Sequence, residues 1–260
     1  MADSVRIERE GAVGRLVFDR PGANNAMDAA SAAALHEGAV ELASDDDVRC
    51  LVFTGVGGVF NTGADLTTLE GDERDEPAIG SLAASLHEFV ETLAGAPKPV
   101  VCGVNGVVAG GGIGTALVGD IVIMSTSARF QFAYPAIGLS ADGGSSYFLP
   151  RLVGLRDAQR IALRNEPVGA SEAEELGLVT ETVPDSEFDE RLATEAETLA
   201  AGPTQAYAET KALLQTSFDH GLGEQLDREA DRIAGLTTTD DYEAGYEAFF
   251  GSGSAYFSGE

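Results

Sequence analysis

Two glycine-rich stretches carry the chemistry visible in this chain: VFNTGADLTTL over residues 59–69 and NGVVAGGGIGTALVGD over 105–120. Each follows a short apolar run of strand character and leads into a loop or helix. Main-chain N–H groups at such places lack acceptors, and a helix start adds positive dipole. Glycine lets a ligand atom approach the backbone closely. It costs about 1 kcal/mol relative to alanine inside a helix, so the run Gly110–Gly112 needs a reason. Two donors arriving from two strands suit one developing negative charge on oxygen, the arrangement of an oxyanion hole. Tight helix–strand packing is the competing reading for either segment alone.

Other chemistries are excluded by spacing. Neither segment contains G-K-[ST], so no P-loop is present, and the G-x-G-x-x-G pattern fails at Thr115 and Leu117. G-x-S-x-G and H-E-x-x-H are also absent. Cys50 and Cys102 each lie in an apolar run, RCLVF and VVCGV, and read as buried free thiols. His36, His87 and His220 fall in separate predicted helices, at surface or half-buried positions. No metal site can be assembled from them.

The elements that must position these stretches alternate early and become helical late. VRIER (5–9) and VGRLVF (13–18) predict an opening hairpin, followed by the loop DRPGANNAMD and a helix over 29–43 with Asp28 as N-cap. Strands are predicted at 49–55, 98–104, 120–125, 129–132 and 178–183. Helices are predicted at 79–94, 111–118, 143–149, 155–163 and 171–176, then at 187–200, 203–217, 222–234 and 240–250. The acidic stretch LEGDERDEP (69–77) predicts a mobile loop. The tail GSGSAYFSGE is flexible by composition, with Tyr256 and Phe257 able to dock. An α/β core with a helical C-terminal unit follows.

Taken together and in this order, the motifs resemble the enoyl-CoA hydratase/isomerase (crotonase) superfamily over nearly the whole chain. DRPGANNAM is similar to that family's early RP…NA stretch, FNTGADL to F-x-x-G-A-D-L, and KPVVCGVNGVVAGGG to KPV-x-A-x-x-NG-x-A-x-GGG. GLSADGGSSYFLPRLVG resembles the loop and helix that come next. The resemblance implies a spiral of β-β-α turns over residues 1–199 and a helical trimerisation region over 200–260, assembled as trimers or hexamers. It implies that the N–H groups of Ala64 and Gly111 hold the thioester oxygen of an acyl-CoA and stabilise an enolate. It further implies substrate contacts at Leu66, Gly110, Gly112, Gly114 and Tyr134. Asp65 is expected to brace its loop, Asp120 to be structural, and Arg20 to meet the CoA phosphates. No cofactor is implied beyond the CoA of the substrate.

The chain departs from the family's hydratases, which supply two glutamates. Gly114 stands at one of those places and Tyr134 at the other. One carboxylate remains in the region, Asp142 of GLSADGGSS, which resembles the pattern of members that move double bonds or rearrange rings, including ring-epoxide isomerases. It also resembles 4-chlorobenzoyl-CoA dehalogenases, where the matching Asp is a nucleophile. Capping of helix 143–149 is the plainer role for Asp142. A double-bond shift needs one base, partly buried so that it works near ambient pH. Isomerisation through Asp142 is therefore favoured, with Tyr134 as pocket wall or hydroxyl donor. A hydratase with other acid/base residues and a catalytically silent acyl-CoA-binding homologue are the alternatives.

Composition sets the setting. The chain has 260 residues with 43 acidic and 16 basic side chains, a formal charge of −27, and its only lysines are Lys98 and Lys211. Acidity spread along the chain with depleted lysine predicts a halophile's surface, whose self-repulsion salt screens. No basic face can form for nucleic acid. No apolar run is long enough to cross a membrane. The start MADSVRIERE lacks a signal-peptide pattern, so a cytoplasmic protein is expected.

Overall fold

Alternating and apolar runs become strands largely where expected. The computed structural model describes residues 4–251 and 253–260. Val5–Glu10 (β1) and Val13–Phe18 (β2) pair as an antiparallel hairpin. Helix α1 (Ala29–Ala43) opens with a reciprocal cap: the Ser31 amide donates to the Asp28 carboxylate and the Asp28 amide donates to the Ser31 hydroxyl. Its face Ala32, Leu35, Ala39 and Leu42 is buried.

Next come β3 (Cys50–Gly55), β4 (Val59–Asn61) and α2 (Glu76–Gly95). Leu86, Phe89, Val90 and Leu93 of α2 turn inward at helical spacing. Phe53 sits at the centre of the core, with Phe60 and Phe89 meeting it edge-on at 5.0 and 5.1 Å. The chain continues through β5 (Val100–Val104), β6 (Val107–Ala109), α3 (Gly112–Leu117), β7 (Ile121–Ser125) and β8 (Arg129–Gln131). Then follow α4 (Ser145–Arg164), β9 (Val168–Gly169), α5 (Ala170–Glu175) and β10 (Glu181–Val183). Helices α6 (Phe188–Ala200), α7 (Thr204–Thr216), α8 (Leu222–Leu236) and α9 (Asp240–Phe250) end the chain.

The strands form two sheets. The larger runs β1-β2-β3-β5-β7-β10 and is parallel beyond the opening hairpin; the smaller runs β4-β6-β8-β9 with β4, β6 and β8 parallel. Strand pairs β3–β4, β5–β6 and β7–β8 each give one member to each sheet before a helix follows. This is the ββα spiral with a helical C-terminal region.

Several expectations change. The acidic stretch 69–77 is ordered, because the buried Asp75 carboxylate accepts from the Glu70 and Gly71 amides at 2.9 and 2.8 Å. The helices expected at 143–149 and 155–163 join into α4, bent at Gly154. The tail is tied down: the Ser258 and Gly259 amides donate to Asp241, and Arg49 donates to the Phe257 carbonyl. Phe257 docks against Gly245, while Tyr256 stays exposed. Both cysteines are buried, and burial pushes their thiols up to about 12.

Candidate active site

Three site segments follow three adjacent parallel strands of the smaller sheet. Gly63–Asp65 come after β4, Gly110–Gly111 after β6, and Ala133–Tyr134 after β8. Carboxyl ends of parallel strands are the usual place for ligands in α/β folds. Register explains the convergence. Asn61 pairs with Val108, and Ala64 and Gly111 each lie three residues further on. The loops touch: a Cβ on Gly63, which has φ +80°, would stand 2.9 Å from the Gly111 nitrogen.

The Ala64 loop is clamped from behind by Met27. The Met27 amide donates to the Gly63 carbonyl at 2.7 Å, and the Asp65 amide donates to the Met27 carbonyl at 2.8 Å. Peptide groups along an extended segment alternate in direction, so the Ala64 N–H faces away from Met27. Gly111 precedes α3, where the first N–H groups have no intrahelical acceptor. Among the described residues neither amide has an acceptor. Both residues line a cavity of about 310 Å³ together with Leu66, Gly110, Tyr134 and Asp142. The aliphatic side chains of Leu82 and Leu86 on α2 close it.

Three residues expected at the substrate do other work. Gly112 and Gly114 are absent from the cavity wall. A Cβ on Gly112 would strike the Asn61 carbonyl, and one on Gly114 the Gly143 carbonyl. These glycines are required by packing of the protein's own backbone. Arg20 is not free for CoA phosphates: it donates to Asp65 and to the Ala26 carbonyl at 2.7 Å each and pairs with Asp28 at 2.8 Å. Asp65 is buried in that brace, and hydrogen bonds from Thr67 and Arg20 hold its carboxyl below the usual range. Asp120 is likewise structural, accepting from the Val100 amide and from Lys211 at 2.8 Å. Burial pushes the Asp120 carboxyl up, and the Lys211 ammonium opposes this.

Asp142 does not cap α4. Gly144 occupies the cap with no side-chain bond, and Ser145 instead donates to the Asp142 backbone carbonyl. The carboxylate stands at the cavity wall, where Oδ1 meets His87 Nε2 at 2.6 Å. Oδ2 has no partner among the described residues. The Asp142 side chain is 33% exposed, so substrate and water can reach it. A second cavity of about 560 Å³, bordered by His87, Glu91 and Phe148, shares Ala141 and Asp142 with the first. Tyr134 is buried, and burial, reinforced by the neighbouring Asp142 charge, pushes its phenol up.

His87 is the candidate site residue that its sequence context hides, since it reads there as an ordinary helical position. Its spacing from Ala83 and Glu91 places it on the stripe of α2 that borders both cavities. That signal is readable only once the stripe's destination is known.

This fold is shared with known proteins. The chain belongs to the enoyl-CoA hydratase/isomerase family, whose model matches residues 8–260. It is 36% identical over 264 residues to a probable enoyl-CoA hydratase of Rhodobacter capsulatus, covering 98% of each chain. It is also 36% identical over 249 residues to the 1,2-epoxyphenylacetyl-CoA isomerase of Escherichia coli, covering 94% of each. An enoyl-CoA hydratase structure from a Polaromonas species superimposes with a TM-score of 0.92 at 28% identity, over 97% of this chain and 99% of that one. No helix among the described residues is long and apolar enough to cross a membrane.

Proposed function

We propose that this enzyme isomerises the double bond of an enoyl-CoA, with Asp142 as the single base. The carrying observation is that Asp142 is the one carboxylate among the described residues lining the cavity that holds the two unpaired amides. The thioester oxygen sits between the Ala64 and Gly111 N–H groups. Asp142 Oδ2 removes a proton from the carbon next to the thioester, and the electrons move onto that oxygen as an enolate. The same carboxylic acid returns the proton two carbons along. Each hole donor is worth on the order of 3 kcal/mol in such a transition state. No group beyond the CoA of the substrate is called on. The name of the Escherichia coli relative, an isomerase of a CoA thioester, agrees with this reading.

The hydratase alternative lacks both customary carboxylates, because residues 114 and 134 are Gly and Tyr. The test is Asp142→Asn with a panel of 2- and 3-enoyl-CoA thioesters, following double-bond position and deuterium uptake from solvent. Loss of both supports the base; unchanged isomerisation removes Asp142 from the mechanism. A second reading draws on the same carboxylate. In it Asp142 attacks the halogen-bearing ring carbon of an aryl-CoA and expels halide, and mass spectrometry would then show a trapped aryl-enzyme adduct.

The assembly we propose is a trimer, or a pair of trimers, built through the C-terminal helices. Ile233, Phe249 and Phe250 on α8 and α9 are 70%, 83% and 70% exposed in the single chain. Patches of this kind mark contact surfaces. Light scattering in high salt reads the state directly. We also assign the chain to a high-salt setting. Both lysines are buried, Lys211 on Asp120 and Lys98 on the Leu42 and Asp45 carbonyls, so the described surface carries arginine as its strong cation.

A further inference from the structure

Tyr134 is 8% exposed, and its hydroxyl has no hydrogen-bond partner among the described residues. The phenol lines the first cavity, with its oxygen 3.8 Å from where a Cβ on Gly111 would stand. The Asp142 amide and the Ser145 hydroxyl flank it without hydrogen-bond geometry. Buried hydroxyls are nearly always paired, and an unpaired one calls for an explanation.

The ring has been aimed. The edge of Phe132 packs on it at 5.1 Å. Ala133, just before it, is held at φ +68°, a backbone conformation that residues with a Cβ rarely adopt. That conformation is pinned: the Ala133 amide donates to Asn165 Oδ1 at 2.7 Å, and the same oxygen accepts from Gln131 at 2.8 Å. Asn165 itself sits at φ +53°. A polar clamp thus fixes the backbone beside an unpaired hydroxyl that lines the first cavity. Backbone strain of this kind collects at functional sites.

We infer that Tyr134 receives a second oxygen of the substrate, one carried on the acyl group beyond the thioester. The enzyme then prefers acyl-CoA thioesters with a ketone, ether or epoxide oxygen near the reacting carbons to plain hydrocarbon ones. A hydrocarbon chain entering the cavity seals the phenol from water without a partner; an acceptor oxygen supplies one. The thioester oxygen is already met by the Ala64 and Gly111 amides, so the phenol is left for a different atom. This rests on the reading that the first cavity takes an acyl-CoA, and it adds the class of acyl group.

The experiment is equilibrium binding by calorimetry in high salt, using hexanoyl-CoA, 3-oxohexanoyl-CoA and 4-oxohexanoyl-CoA against wild type and Tyr134→Phe. These saturated chains have no double bond to move, so the result does not depend on Asp142 chemistry. Wild type should bind at least one ketone thioester about tenfold or more tighter than hexanoyl-CoA, the scale of one buried hydrogen bond. Tyr134→Phe should close that gap to within about threefold by weakening the ketone alone. A wild type indifferent to the ketone overturns the inference, whether or not the variant folds. So does a preference that survives in Tyr134→Phe, or a uniform loss for all three thioesters, which would make the phenol a third donor to the common carbonyl. Failure of all three to bind wild type sinks the acyl-CoA reading itself and this inference with it.

Discussion

His87 Nε2 stands 2.6 Å from Asp142 Oδ1, joining the middle of α2 to the loop that leads into α4. The contact occupies one carboxylate oxygen and leaves the other for chemistry. It also fixes the direction of that free oxygen, since a carboxylate held at one corner keeps few orientations. Positioning of a base this way is worth much less than the base itself. Asp142→Asn should lower kcat/KM by roughly 10²–10⁴, the usual range for a general base. His87→Gln, which keeps a donor, should cost about tenfold or less, and His87→Ala more than His87→Gln. Steady-state kinetics on the panel of 2- and 3-enoyl-CoA thioesters decide this. Equal losses in Asp142→Asn and His87→Ala would mean the imidazole takes part in proton transfer itself.

Gly114 and Asp142 are coupled through one contact. The Gly143 carbonyl occupies the place of a Cβ on Gly114. The absence of a hydratase-type glutamate at 114 and the presence of Asp142 at the cavity are therefore one packing solution. Gly114→Ala should push the 139–144 loop outward and lower the proposed isomerase activity at least tenfold, with a stability loss of about 1–3 kcal/mol from overpacking. Gly114→Glu should abolish activity without creating hydration. Measurable hydration by Gly114→Glu would show that the loop yields and that the two features are independent.

Much of the fold and site is legible in the amino-acid sequence, for physical reasons that differ by element. The Asp28 cap, the Ala-rich stripe of α1 and the all-apolar β3 and β5 each declare themselves locally. So do the two glycine-rich segments, because glycine next to an apolar run is a strong signal, whereas Ala64 and Gly111 as the donors follow only from the family resemblance. Strands β4 and β6 are not legible: they are three residues long and sit among glycines, and they are strands only because β4 pairs with β6 and β6 with β8. The His87–Asp142 contact spans 55 positions and depends on how α2 packs, which no local pattern encodes. Arg20 reads as a free cation because its three partners, Ala26, Asp28 and Asp65, are brought together only by the fold.

Asp65 supplies a pH test. Hydrogen bonds from Thr67 first, and Arg20 second, lower its carboxyl in the folded chain. A group lowered on folding contributes stability that is complete above its unfolded value, about 4, and is lost as pH falls through the folded value. Acid also relieves the repulsion of a −27 chain, so the wild-type curve alone mixes two effects. The difference between wild type and Asp65→Asn isolates the first. It should be about 2 kcal/mol at pH 7 and shrink as pH drops below about 4, measured by denaturant unfolding at fixed high salt. A difference that stays constant down to the acid limit would assign the loss to packing rather than charge.

Salt dependence separates repulsion from other effects of ions. With 43 acidic side chains against 16 basic ones, the folded chain concentrates negative charge that the expanded chain spreads out. Screening shortens the reach of that repulsion from about 10 Å at 0.1 M salt to about 3 Å at 1 M. Stability should therefore climb steeply between roughly 0.05 and 1 M KCl. Beyond that range screening has nothing left to remove, and any further gain must come from ion or water binding at the acidic surface. Potassium chloride is the right salt, since sulfate would also strengthen apolar burial. The thermal midpoint across a KCl series reads the effect, and activity should follow it if the two share a cause. A midpoint that is flat from dilute buffer to about 1 M would remove charge repulsion as a governing term and, with it, the high-salt setting.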